Sequence, residues 1–208
     1  MKRVINLDNW NRKEHFKFFS ALDDPFWGIT TTVDFTSIYQ QSKNMEVSFF
    51  LYSVHFLLKC INATTAFKLR IENGEVVEYD KINISPTIGR EDGTFGFGFF
   101  EYDTDLSLFI ENAEKEIHRV KNSAGLSFSK DTARADVIRY SALPWFAFSE
   151  MKHAGSIQTG DSIPKISTGK LIQEKKKLLL PISISVHHGL VDGRNVAEFI
   201  QNVKDGQN

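Results

Sequence analysis

The segment PISISVHHGLVDGRN, residues 181–195, places two adjacent histidines at the end of a β-like apolar run. Side chains alternate between the two faces of an extended strand, so His188 continues the apolar face that includes Val186. Asp192 follows four residues after His188 and is well placed to cap a helix. An imidazole that is partly desolvated but close to an opening accepts protons at neutral pH, because its unperturbed pKa is near ~6.5. The segment therefore predicts His188 as a candidate general base.

Other interpretations fit the same spacing. His188 could be a core histidine hydrogen-bonded to the backbone, with Asp192 acting only as a helix cap. A Ser-His-Asp hydrolase is disfavoured because the chain contains no G-x-S-x-G nucleophile elbow. No metal site is expected, because the remaining histidines lack the spacing of zinc ligands; they are His15, His55, His118 and His153.

Composition narrows the class of protein. The chain of 208 residues has 41% hydrophobic and 25% charged residues, which is ordinary for a folded globular protein, and we expect a single domain over residues 1–208. A net charge of −1 argues against nucleic acid and anionic membranes as partners. Cys60 is the single cysteine, so no internal disulfide can form. With neither a signal peptide nor a membrane-length apolar segment, a cytoplasmic location is expected.

Periodicity predicts a mixture of strands and helices without strict alternation. This pattern favours an α/β sandwich on a mixed, largely antiparallel sheet. The predicted helices cover residues 7–22, 47–63, 104–122 and 191–205, and the third of these is clearly amphipathic. The predicted strands cover residues 27–35, 94–103 and 137–151, with hairpins at 66–80 and 163–188.

Four segments together resemble one family. HHGLVDG (residues 187–193) matches the H-H-x-x-x-D-G motif of CoA-dependent acyltransferases. WNRKEHF (10–16), SALPW (141–145) and the hairpin containing IPKISTGK (163–170) resemble further motifs of the chloramphenicol acetyltransferases, in the same order and with similar spacing. The chain therefore resembles that family over nearly its whole length.

The resemblance implies a two-layer sandwich, with helices covering the sheet, that assembles as a homotrimer. The active sites would lie at the subunit interfaces, and acetyl-CoA would be the cosubstrate. His188 corresponds to the family's general base, which takes the proton of the acceptor hydroxyl during direct acetyl transfer. Ser141 corresponds to the residue that hydrogen-bonds the oxyanion, and it is also expected to bind acetyl-CoA.

Further residues correspond to supporting positions of the family. Asp192 would pair with Arg12 and hold the loop that carries His188. Ser167 aligns with a threonine that organises a bound water molecule. Lys170 matches a lysine that binds CoA, whereas Ser48 stands where many members have a lysine near the 3′-phosphate.

The acceptor is less well defined by the resemblance. Phe18, Phe19, Met151 and His153 correspond to acceptor-binding positions, but Phe19 replaces a tyrosine, and Met151 and His153 replace bulky apolar residues. His153 could line the pocket or lie in a loop. The family implies O-acetylation of chloramphenicol and antibiotic resistance; alternatives are acetylation of another small alcohol or amine, or a non-catalytic ligand-binding trimer.

Overall fold

The structure is a computed structural model, and it describes residues 1–155 and 160–207. It contains ten strands and five α-helices in these residues, with short 3-10 helices at Leu7–Asn9 and Thr65–Lys68. The α-helices are α1 (Lys13–Ser20), α2 (Thr36–Asn44), α3 (Phe49–Ala63), α4 (Leu106–Lys121) and α5 (Gly193–Asp205). The strands are β1 (Lys2–Val4), β2 (Phe26–Asp34), β3 (Leu69–Glu72), β4 (Glu75–Tyr79), β5 (Asn83–Gly89), β6 (Phe95–Phe97), β7 (Val137–Ala142), β8 (Lys165–Thr168), β9 (Ile172–Glu174) and β10 (Lys177–His187).

The main sheet has the strand order β2-β10-β8-β7-β5-β6, and β9 pairs with the start of β10. Only the β8-β7 and β7-β5 pairs are parallel; the other neighbours are antiparallel. The predicted fold class, a mixed and largely antiparallel sheet combined with helices, is therefore confirmed. A second, three-stranded sheet has the order β1-β4-β3.

One face of β10 forms part of the hydrophobic core. Ile182, Ile184 and Val186 are fully buried there and belong to the same apolar cluster as α3 residues such as Leu57 and α5 residues such as Phe199. Helix α3 is apolar on nearly all sides, and its position between the sheet and the neighbouring helices explains this. The opposite face of β10 carries Ser183, Ser185 and His187 and is the face on which polar chemistry is possible.

Two glycine positions show why particular residues occur there. Asn73 and Gly74 connect β3 and β4 with φ angles of 51° and 81°, which is the positive-φ turn that Asn-Gly predicts. In β6, a Cβ on Gly96 would lie 2.9 Å from Cγ1 of Val120 in α4. Glycine at this position thus allows the strand to approach the helix closely.

Several predicted boundaries were wrong. The helix expected over residues 7–22 is divided into a 3-10 helix and α1, and Arg12 is the N-cap residue of α1. The strand expected over 137–151 ends at Ala142, shortly before Pro144, which has no N–H group for a sheet ladder. Helix α2 was not predicted, because it buries only Ile38 and Ser42 and so lacks a clear apolar period.

Candidate active site

The two histidines of the H-H-x-x-x-D-G motif have different environments. His187 is the last residue of β10 and is 4% exposed, whereas His188 lies one residue beyond the strand and is half-buried. The prediction that His188 ends the strand was wrong by one residue, because the carbonyl of His187 accepts turn hydrogen bonds from Leu190 N and Val191 N. The apolar strand face therefore ends at Val186, and His188 begins a turn.

The ring of His188 is positioned by aromatic side chains. Phe19 stacks on it with ring centroids 3.8 Å apart and planes 8° apart, and Trp27 lies at 5.4 Å. The backbone N–H of His188 donates to Pro25 O at 2.8 Å, which ties the turn to the segment before β2. Among the described residues, the buried Nδ1 atom has no hydrogen-bond partner. These contacts fix the orientation of the imidazole through packing rather than through a hydrogen bond to Nδ1.

An ion pair braces the turn after His188. Arg12 Nη1 donates to Asp192 Oδ2, and Arg12 Nη2 donates to the carbonyl oxygen of His188 at 3.3 Å. The other carboxylate oxygen of Asp192 accepts the backbone N–H groups of Arg194 and Asn195, so Asp192 also caps α5. Burial by itself would raise the pKa of Asp192, but the hydrogen bonds from Arg12 and from the backbone of Asn195 outweigh it and lower that pKa. The carboxylate thus stays charged and holds both ends of the turn.

Ser141 lies elsewhere, near the end of β7. Its Oγ accepts a hydrogen bond from Thr87 Oγ1 at 3.2 Å. A hydroxyl that accepts one bond keeps its own proton for another acceptor, so Ser141 can still donate. Thr87, which sequence reasoning missed, thereby orients this hydroxyl, and only the β5-β7 pairing brings the two residues together.

Ser167 is fully buried on β8, directly opposite Ser141 in the register. His153 Nε2 lies 3.0 Å from Ser167 Oγ. His153 is therefore packed against the sheet rather than in a free loop. Burial, with a further contribution from Lys165, lowers the pKa of His153, so its ring is neutral at pH 7.

Within one chain, His188 and Ser141 are far apart. Ser141 pairs with Ser167, and Ser167 pairs with Ser183 on β10. His187, the last residue of β10, is four residues beyond Ser183, which corresponds to about 13 Å along the strand. His188 lies beyond it, and two strand spacings add about 10 Å across the sheet. The predicted base and oxyanion donor of one chain cannot contact the same acetyl group.

A cavity of about 810 Å³ opens on the polar face of the sheet. Met151 and His153 line it, as do Ser185 and His187 of β10. Phe19 instead stacks on His188, and Phe18 is 64% exposed with its ring edge against Phe19. The four predicted acceptor residues therefore divide into two groups, one near His188 and one in the cavity.

The predicted CoA-binding positions are at the surface. Lys170 is exposed, and its backbone N–H donates to Phe146 O at 2.9 Å. Phe146 and Trp145 are 54% and 74% exposed, so apolar rings lie beside this lysine. Ser48 is the exposed N-cap residue of α3.

In residues 1–155 and 160–207, no three His, Cys, Asp or Glu side chains are grouped so that they could hold a metal ion. Across the same residues, none of the helices has the length and apolar character needed to cross a membrane.

Comparisons with known proteins identify the family of this chain. The family model described as chloramphenicol acetyltransferase matches residues 2–204. Chloramphenicol acetyltransferase 3 of Escherichia coli is 26% identical over 97% of this chain and 94% of its own length, and a chloramphenicol acetyltransferase of Clostridioides difficile is 28% identical over 97% and 93%.

Solved structures show the same fold. A chloramphenicol acetyltransferase with 29% identity superposes with a TM-score of 0.91 over the full length of both chains. A dihydrolipoamide acetyltransferase of Azotobacter vinelandii, at 14% identity, gives 0.69 over 93% of this chain and 85% of its own; that likeness concerns the fold alone. With the family model matching nearly every residue, the chain belongs to the chloramphenicol acetyltransferase family.

Proposed function

We propose that this protein transfers the acetyl group of acetyl-CoA to a hydroxyl group of chloramphenicol. Its relatives across 97% of the chain carry the name of that activity. The observation that supports the proposal most directly is the immobilised imidazole of His188, stacked on Phe19 at 3.8 Å and followed by a turn braced by Arg12 and Asp192.

The proposed reaction is a direct transfer. Nε2 of His188 takes the proton of the acceptor hydroxyl while the hydroxyl oxygen attacks the thioester carbonyl carbon. The carbonyl oxygen becomes an oxyanion. The hydroxyl of Ser141 accepts a hydrogen bond from Thr87, so its own O–H group is free to donate a hydrogen bond to this oxyanion. Collapse of the tetrahedral intermediate breaks the carbon–sulfur bond, and the departing CoA sulfur receives the proton held by His188.

The active site is proposed to be shared between neighbouring subunits. The separation of more than about 13 Å along the strand supports a site in which His188 of one copy acts together with Ser141 of another. A closed ring of identical chains supplies such a head-to-tail interface once per subunit, and a homotrimer is the ring that the family resemblance implies. The proposal assigns Arg12 and Asp192 to holding His188, and Ser167 to the acceptor side together with Met151 and His153.

Acetyl-CoA is proposed to approach along the surface that carries Lys170. The lysine would attract a phosphate, and the neighbouring exposed rings of Trp145 and Phe146 would contact the adenine or pantetheine. Phe18 and Phe19 would contact the acceptor from the subunit that contributes His188. The cytoplasmic location stays a prediction.

A mixing experiment tests both the reaction and the shared site. His188→Ala and Ser141→Ala are purified separately, and release of free CoA thiol is measured with acetyl-CoA and chloramphenicol. We expect losses of about 10²–10⁴-fold and 10²–10³-fold respectively. When equal amounts are unfolded and refolded together, about a quarter of the interfaces regain one intact base and one intact serine, so activity should return to about a quarter of the wild-type value.

The matched control mixes His188→Ala with the double variant His188→Ala/Ser141→Ala, which cannot form an intact interface. Absence of recovery in the first mixture would contradict a shared site. Absence of thiol release by the wild-type protein with chloramphenicol would contradict the proposed acceptor.

A further inference from the structure

Charged side chains are buried in the wall of the cavity. Lys165 of β8 is only 6% exposed, and it lies opposite Ser185 of β10 on the polar face of the sheet. Asp161, with a side chain 8% exposed, also lines the cavity. A buried charge interacts strongly with a ligand because solvent screens it little.

Asp161 is shared between two cations. Its Oδ2 atom lies 2.8 Å from Arg139 Nη1 and 3.3 Å from Lys165 Nζ, and its Oδ1 atom accepts the backbone N–H of Ile163. One carboxylate thus faces an ammonium and a guanidinium, and the shorter contact is with Arg139. The local charge of these three groups is positive by one.

The ammonium group of Lys165 retains hydrogen-bonding capacity. Nζ lies 4.3 Å from the ring centroid of Phe26, and among the described residues it makes no hydrogen bond beyond its 3.3 Å ion pair with Asp161. An ammonium has three donors, so donors remain for a ligand in the cavity. Neither the aromatic ring nor the shared carboxylate can satisfy them.

His187 adds a second donor to the same wall. The backbone N–H of Gly189 donates to His187 Nδ1 at 3.2 Å, so that nitrogen carries no proton and Nε2 must carry it in the neutral ring. Burial lowers the pKa of His187 to about 4, so the ring is neutral at pH 7. His187 is therefore a neutral N–H donor that lines the same cavity as the charged donor Lys165.

The outer charges of the cavity are exposed and of mixed sign. Asp24, Glu150 and Lys152 line it and are all solvent-exposed. Water and salt screen these groups more strongly than they screen Lys165. Two buried charges therefore remain in the cavity wall. The carboxylate of Asp161 has its shorter contact with Arg139, so Lys165 is the buried charge that is least neutralised by its neighbours.

We propose that the cavity binds the acceptor and that Lys165 selects acceptor alcohols that also carry an anionic oxygen group, such as a carboxylate. This inference rests on the proposed function in that it takes the cavity as the acceptor pocket. It differs from that function in the chemistry of the substrate, because chloramphenicol carries no negative charge.

Calorimetry without acetyl-CoA tests the charge preference independently of catalysis. The probes are 4-(hydroxymethyl)benzoate and its neutral isostere 4-(hydroxymethyl)benzamide. Hydrogen bonds to charged groups correspond to about tenfold or more in affinity, so the wild-type protein should bind the carboxylate at least about tenfold more tightly. Lys165→Met, which keeps an unbranched apolar side chain of nearly the same length without the charge, should remove that preference.

Two further variants sharpen the test. Lys152→Met removes an exposed lysine of the same cavity and should leave the preference intact. Asp161→Asn frees Lys165 from its competing carboxylate and should increase the preference, which also keeps the inference testable if Lys165→Met fails to fold.

Thiol release with the same two alcohols and with chloramphenicol then separates the two hypotheses. A carboxylate preference in binding without acetyl transfer to any of these alcohols would leave the inference standing and count against the proposed function. The inference would be overturned if the wild-type protein bound the two probes equally, or if Lys152→Met and Lys165→Met lost the carboxylate preference to the same extent. Either result would overturn it even if chloramphenicol is acetylated.

Discussion

The end of β10 that carries His188 and the part of the sheet that carries Ser141 are built in different ways. His188 lies in a turn, and it is held by an aromatic stack, an ion pair and a helix cap. Ser141 lies on a strand with neighbours on both sides, and its hydroxyl is oriented by Thr87. His188 lies outside the backbone hydrogen-bond ladder of the sheet, so side chains must fix its position. The position of Ser141 is fixed by the ladder itself.

This difference predicts where substitutions cost stability and where they cost only rate. Around His188, the supporting residues Arg12 and Asp192 link α1, the turn and α5, so changing them should affect folding as well as catalysis. Around Ser141, the hydroxyl can be removed with little effect on the sheet. The following experiments test that contrast.

The largest effect is expected for His188→Ala. We expect kcat to fall by about 10²–10⁴-fold, because the general base is lost, while the melting temperature changes little, because the half-buried ring makes no hydrogen bond to a described residue. Thiol release and thermal unfolding measure the two quantities. His15→Ala, which removes an exposed histidine of α1, is the control and should leave both unchanged; near-wild-type activity of His188→Ala would refute the assignment of the base.

A smaller effect on rate but a larger one on stability is expected for Asp192→Asn. Asparagine can still cap α5 through its side-chain oxygen, so the substitution isolates the loss of the charged partner of Arg12. We expect a loss of about 2 kcal/mol in the free energy of unfolding, measured in urea, and about a tenfold fall in kcat/KM.

Asp192→Ala, which removes the cap as well, should be less stable than Asp192→Asn. An unchanged free energy of unfolding in Asp192→Asn would mean that the Arg12 pair does not support the turn.

The smallest effect concerns His187, which belongs to the cavity although it is adjacent to His188. Burial lowers its pKa from 6.5 to about 4, so the unfolded chain binds more protons than the folded one between these values. Its contribution to stability is complete above pH 6.5 and is lost as the pH falls towards 4. Between pH 7.5 and 5.5 this amounts to about 1 kcal/mol.

His187→Asn keeps an acceptor for the N–H of Gly189 but does not titrate. Urea unfolding at the two pH values should therefore show a pH dependence smaller by that amount than in the wild-type protein. An identical pH dependence in both proteins would show that His187 is not held neutral by burial.

The local sequence pattern was sufficient to predict several structural elements. The Asn73-Gly74 turn, the apolar helix α3 and the cap of α5 by Asp192 all depend on neighbouring residues, and each occurs close to the predicted place. The break before α1 could not be predicted in this way, because Arg12 leaves the helix pattern to reach Asp192, which is 180 residues away.

The residues of the candidate site likewise divide into those that the sequence identified and those that only the structure brought together. Residue type and spacing identified His188 and Asp192, and the family resemblance implied Arg12, Ser141 and Ser167; the roles of all five stay predictions. Lys165, Thr87 and His187 were missed, since a single lysine, threonine or buried histidine within a strand carries no signal without its partners.

The amino-acid sequence by itself determined the fold class, the family and the residues able to do acid–base chemistry, because periodicity and motif spacing are local properties of the chain. Only the tertiary structure decided that His188 stacks on Phe19, that His187 faces a different environment from its neighbour, and that a buried lysine lies in the cavity wall. Strand register brings Lys165 and Ser185 together, and it also keeps Ser141 and His188 of one chain apart. These relations depend on which strands become neighbours, which no short segment of the chain encodes.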